Sequence, residues 1–159
     1  MNQRRSVPAR AGDGEEAARL LLQALAQYER GDAASANANC ARAFALDLEG
    51  AEAFLRRALR VPSDDRTASA LHMLLAGVNS VRGDLDAALR ECNLAVELTP
   101  ANEDAYLARA AALANLGRQE EATSDLARFE AMGGVIPAKA TVAPFVRKYL
   151  AAKRGAGTR

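Results

Sequence analysis

The chain has 159 residues, and its 21 basic and 20 acidic side chains nearly cancel; half the residues are apolar, only 4% are aromatic, and Trp is absent. One domain of this length buries a real core, and without Trp that core must come mostly from Ala, Leu and Val, of which Ala and Leu favour helix. The charge balance excludes capture of nucleic acid or an anionic membrane by bulk electrostatics, and no apolar run reaches the ~18 residues needed to cross a bilayer.

Residues 1–14, MNQRRSVPARAGDG, are basic and poor in bulky apolar side chains, and they are read as a disordered tail. The Arg4-Arg5 pair is followed by no apolar stretch before Glu15-Glu16, unlike a twin-arginine export signal. Two cysteines, Cys40 and Cys92, are too few for a disulfide scaffold and fit a reducing compartment. A cytoplasmic location is the expectation. Residues 15–153 are expected to form one domain, with 154–159 as a second disordered tail.

The tripeptide RGD occurs twice, at Arg30-Gly31-Asp32 and Arg82-Gly83-Asp84. The match between the two stretches extends further: Ala36 pairs with Ala88, Cys40 with Cys92, Ala43 with Ala95 and Leu46 with Leu98. Gly117 follows Gly83 by 34 residues, and Ala122 stands where Ala36 and Ala88 do. The 52 residues between the first two glycines are one such period plus an 18-residue insert. Leu21, Leu25 and Tyr28 recur with helical spacing before Gly31, and Phe44 and Leu48 are expected to continue a helix after it. Each glycine is therefore placed at a turn between two helices. It supplies the left-handed residue at a helix end, and the following Asp caps the next helix. The tripeptide is thus read as a stop-and-start signal, not as an adhesion motif, and its aspartates would repel a phosphate.

At these positions the chain resembles the tetratricopeptide repeat family of small bacterial-type proteins. The middle unit, about 69–102, carries Ala76, Gly83, Ala88, Ala95 and a terminal Pro100; the last, about 103–136, carries Tyr106, Ala110, Gly117 and Ala122 but has Phe129 at the second small crossing position. The first, about 17–50, carries Ala24, Gly31, Ala36 and Ala43, with Leu48 in place of the usual Pro. The resemblance implies an all-α fold: a helix-turn-helix solenoid of three repeats.

Within the insert, 51–68, Phe54, Leu55, Ala58 and Leu59 share one face of a short helix opposite Arg56, Arg57 and Arg60. Pro62 ends it, and Ser63, Asp64 and Asp65 mark the next helix start. An extra helix after repeat one is expected, where it would bend the solenoid. After the linker-like MGGVIPAKATVAP, Phe145, Val146, Tyr149 and Leu150 form the apolar stripe of a terminal helix, about 143–153, which either caps the last repeat or pairs subunits into a homodimer. Phe145 and Tyr149 are the candidate self-association residues.

No motif supports catalysis, so the chain is read as a non-enzyme without cofactor or metal. Cys40 and Cys92 occupy equivalent repeat positions and read as small core residues. His72, the only imidazole, is placed in the first turn of a helix with a packing or capping role. No glycine-rich phosphate loop is present.

The resemblance also implies a concave groove lined by the first helix of each repeat: Leu21, Leu25 and Tyr28, then Met73, Gly77 and Ser80, then Asp104, Leu107 and Ala111. These positions lack the Lys, Arg and Asn with which some family members clamp an acidic C-terminus, so an amphipathic helix or hydrophobically anchored segment of another protein is the expected partner. Either packing among neighbouring helices or the GGVIP segment would remove that groove. The functional expectation is a protein-interaction adaptor with no nucleic-acid or membrane-inserted partner. A secretion chaperone for a membrane-inserting protein and a self-assembly module are the alternatives.

Overall fold

The computed structural model describes residues 10–136 and Ala151. The described residues form seven helices and no strand: α1 Asp13–Glu29, α2 Ala33–Leu46, α3 Leu48–Ala58, α4 Asp65–Arg82, α5 Leu85–Leu98, α6 Glu103–Asn115 and α7 Gln119–Ala131. None is long and apolar enough to cross a membrane. The terminal stripe around Phe145 and Tyr149 and both tail ends, 1–9 and 152–159, lie outside the described residues.

Three tight helical hairpins, α1–α2, α4–α5 and α6–α7, make up most of the protein. Each turns on a glycine with positive φ: Gly31 at 79°, Gly83 at 84° and Gly117 at 79°. At Gly83 the glycine N–H donates to the Ser80 carbonyl and the Asp84 N–H to Asn79, so two carbonyls otherwise orphaned at the end of α4 are satisfied. The Asp84 carboxylate then accepts from the Ala87 N–H at 3.0 Å and starts α5, as Asp32 does from Ser35 at the head of α2. The third turn keeps the glycine and changes the cap: Arg118 makes no side-chain cap bond and pairs instead with Glu121.

A β-carbon at Gly83 would meet no atom within 4 Å. The cost of Gly83→Ala is therefore conformational, about 1–2 kcal/mol for a left-handed non-glycine residue, or a fall in Tm of about 3 °C per kcal/mol. Gly83→Asn should lose less, because Asn tolerates this region. Thermal melts of both variants followed by circular dichroism check the ranking; equal melting of Gly83→Ala and the parent chain would show that the left-handed turn is dispensable.

Leu48 does not continue α2. The chain breaks at Asp47, which is extended (φ −153°, ψ 93°) and whose carboxylate accepts from the Gly50 N–H at 2.8 Å to cap α3. The extra helix therefore begins before the insert boundary at Ala51. It buries Ala51 and Leu55 completely, sets Phe54, Ala58 and Leu59 partly into the core, and leaves Arg56, Arg57 and Arg60 exposed. α3 packs against α1, α4 and α2. α4 starts at Asp65, where Ser63, Asp64 and Asp65 signal a helix start, and is capped by the Asp64 carboxylate through the Thr67 N–H. This puts His72 seven residues into the helix instead of in its first turn, with Nδ1 2.7 Å from Glu91 of α5.

The core divides into three clusters. One joins α1, α2, α3 and α4 through Leu20, Leu21, Cys40, Leu55, Leu71 and Leu75; a second lies around Met73, Tyr106 and Phe129; the third holds Leu89, Cys92 and Leu113. Cys40 and Cys92 are buried in different clusters as free thiols, and burial pushes both up to about 12, far from the thiolate range. Phe129 fits where the repeat pattern calls for a small residue because Gly134 lies over its ring, where a β-carbon would collide.

Candidate functional site

One face of α4 borders a row of concavities, buried toward its start and open toward its end. Ala70, Met73, Gly77 and Val81 follow one another at helical spacing along it, and three concavities succeed each other there. The first, of about 410 Å³, lies between the end of α1, the start of α4 and the α5–α6 junction. The second, of about 280 Å³, is bounded by α4 and α6, with Tyr28 and Asn37 at its edge. The third, of about 410 Å³, opens between α2 and α4 around Phe44 and Val81. The first and second share Tyr28, Met73 and Asp104, and the second and third share Asn37 and Gly77, so they adjoin in a row that makes up the channel. From Ala70 to Val81 it runs along α4 for about 16 Å at 1.5 Å per residue.

Tyr28, Met73, Gly77, Ser80, Asp104, Leu107 and Ala111 all line the second concavity. Two of the sequence-derived groove residues are elsewhere. Leu21 is fully buried in the first cluster, because α2, α3 and α4 all pack on α1 and close over the middle of that helix. Leu25 is half-buried between the first and second clusters and lines none of the three concavities. Of the GGVIP segment the described residues end at Ile136: Val135 points to solvent, Ile136 packs with Met132 against the second cluster, and neither lines the three concavities, while Pro137 lies outside the described residues.

Local chemistry accounts for the shape. Gly77 has no side chain, and the Phe44 ring approaches so closely that a β-carbon there would stand 3.0 Å from it. Ala76, Ala108, Ala111 and Ala112 keep the walls thin between α4 and α6. Tyr28 donates its hydroxyl to the Asn37 side chain and has its pKa raised by burial, so it is a neutral wall of the channel. Met73 is 8% exposed and forms the floor shared by the first two concavities.

Charge is confined to one end. Among the described residues, Glu29, Glu103 and Asp104 line the first concavity against a single cation, Arg66, whereas Asp104 is the only charged residue lining the second and none lines the third. The Asp104 carboxyl has its pKa raised, first by burial and then by its neighbour Glu103.

A polar cluster that the sequence did not suggest lies apart from the channel. Arg109 of α6 donates from Nε and Nη2 to both oxygens of Asp125 of α7, at 2.7 and 2.8 Å, and from Nη1 to Asn93 of α5 at 3.4 Å. Its guanidinium also lies 5.5 Å from the centre of the Tyr106 ring. Every charge there is matched, so the cluster joins three helices and leaves no free group for chemistry. Among the described residues no group of three His, Cys, Asp or Glu side chains is placed to hold a metal ion.

The sequence matches no family model, no curated protein and no solved structure.

Proposed function

We propose that the chain is a three-unit tetratricopeptide-like repeat protein with an extra helix after the first unit, and that it acts as a protein-interaction adaptor. Its partner lays an amphipathic helix or an extended segment with hydrophobic anchors into the channel along α4. The observation that carries this reading is the convergence of seven residues, chosen by repeat spacing on three separate helices, on one concavity. Scattered surface positions would have no reason to meet in this way. Each apolar anchor fully buried there contributes roughly 1.5–3 kcal/mol, before the cost of ordering the partner is subtracted.

Glutamates at Leu25 and Met73 would be a poor test, since both side chains belong to the core clusters. Ser80 and Ala111 are half-buried channel residues outside those clusters. Ser80→Glu with Ala111→Glu is expected to leave the far-ultraviolet circular dichroism unchanged and to abolish partner binding. A carboxylate desolvated without a partner costs at least about 1–3 kcal/mol, so two should weaken binding by about a hundredfold or more. The partner is first identified by affinity capture and mass spectrometry with the parent chain, and its affinity is then measured. Undiminished binding by the folded double variant would sink the groove function.

A further inference from the structure

If the channel holds a partner segment, as proposed above, its charge pattern defines that segment further. We propose that the segment is cationic at one end: an apolar-anchored helix whose Lys or Arg seats against Asp104. Asp104 stands where the first and second concavities meet, beside Tyr28 and Met73. Its backbone N–H is bonded to the Asn102 side chain, while its carboxylate has no hydrogen bond or ion pair among the described residues.

A half-buried carboxylate without a partner is costly in a protein interior, and the raised pKa of Asp104 expresses that cost. A cation placed against it removes the penalty and gains a charge-assisted hydrogen bond. Glu29 and Glu103 reinforce the attraction, and Arg66, the opposing cation, is exposed and leaves this end net negative. Toward Phe44 and Val81 the lining is uncharged, so the remainder of the segment must be apolar on its inner face. The channel length suits about three helical turns. An acidic peptide or a nucleic acid would be repelled at the same end.

The test uses a random 16-residue peptide library displayed on phage, selected on the immobilised full-length chain, with the enriched peptides synthesised and their affinities measured by fluorescence polarisation. Enriched peptides are expected to carry Lys or Arg within one turn of an apolar pair, and to lose affinity when the chain carries Ala111→Glu. Asp104→Asn, close in shape, should weaken them by about ten- to a hundredfold, the usual range for a lost hydrogen bond to a charged group. Asp104→Lys should shift selection toward Asp and Glu.

Peptides that depend on Ala111 but show no basic preference, or bind Asp104→Asn unchanged, overturn this inference and leave the groove function standing. A failure to enrich any peptide sensitive to Ala111→Glu removes both. Displacement of the selected peptides by a free peptide of residues 143–154 would assign the channel to the chain's own segment, and self-association lost in Asp104→Lys would assign it to a second copy. Either result overturns the inference of a cationic partner.

Discussion

Arg109→Met is expected to destabilise the protein by about 3–5 kcal/mol, the usual loss when one member of a buried ion pair is removed. The magnitude follows from which partner is stranded. Asp125 is only 6% exposed and has both oxygens bonded to Arg109, so without the guanidinium it becomes a buried, uncompensated carboxylate. Met preserves much of the stem that Arg109 packs against its neighbours, which isolates the charge effect. Asp125→Ala should cost less, because the Arg109 side chain keeps about a quarter of its surface exposed and can turn toward water. The pair Arg109→Met with Asp125→Leu should recover much of the loss, since apolar replacement of a whole buried ion pair is often neutral or stabilising. Urea unfolding of the three variants checks the order. A double variant as unstable as Arg109→Met would show that the pair is not what holds this corner.

Leu55→Ala is expected to cost about 2–5 kcal/mol, the range for truncating a buried leucine and leaving a cavity. Leu55 has no exposed surface and projects from α3 into the cluster built by α1, α2 and α4. The variant therefore asks whether the extra helix belongs to the cooperative unit or is only appended to it. Arg57→Ala, on the exposed side of α3, serves as the control and should change stability by no more than about 0.5 kcal/mol. A single cooperative transition shifted to lower urea is the expected result for Leu55→Ala. A loss as small as that of the control would mean that α3 docks without supporting the hairpins.

The channel was partly visible in the sequence because the repeat resemblance implied which helices face inward and helical spacing fixes which side chains share a stripe. Met73, Gly77 and Ser80 on α4 and Asp104, Leu107 and Ala111 on α6 follow from that spacing, and both sets line the same concavity. On α1 the same rule picked Leu21 along with Tyr28, although only Tyr28 reaches the channel. Periodicity identifies a face and cannot say how many neighbours will cover it; α3, packed on α1, is one of the helices that close over Leu21. The third concavity was missed for a related reason, since Phe44 and Val81 belong to different helices with no shared sequence signal. Arg109 and Asp125 are 16 residues apart on α6 and α7, beyond any i,i+4 pattern, and only the hairpin brings them together.

By itself the sequence determined the turns. A glycine with positive φ at a helix end is a local requirement, set by backbone sterics and by the orphan groups there, so the recurrence at Gly31, Gly83 and Gly117 could be read directly, with a capping Asp after the first two. The all-helical class was legible for the same reason, in composition and short-range spacing. The break at Asp47 is a different case: it divides a run rich in Ala and Leu that contains no Pro, and an Asp cap there competes with simple continuation of α2. Burial of Ala51 and Leu55 against α1 and α4 favours the break. Tertiary structure likewise decided the depth of the channel and the position of its charge, because both depend on which helix faces remain uncovered after the hairpins pack.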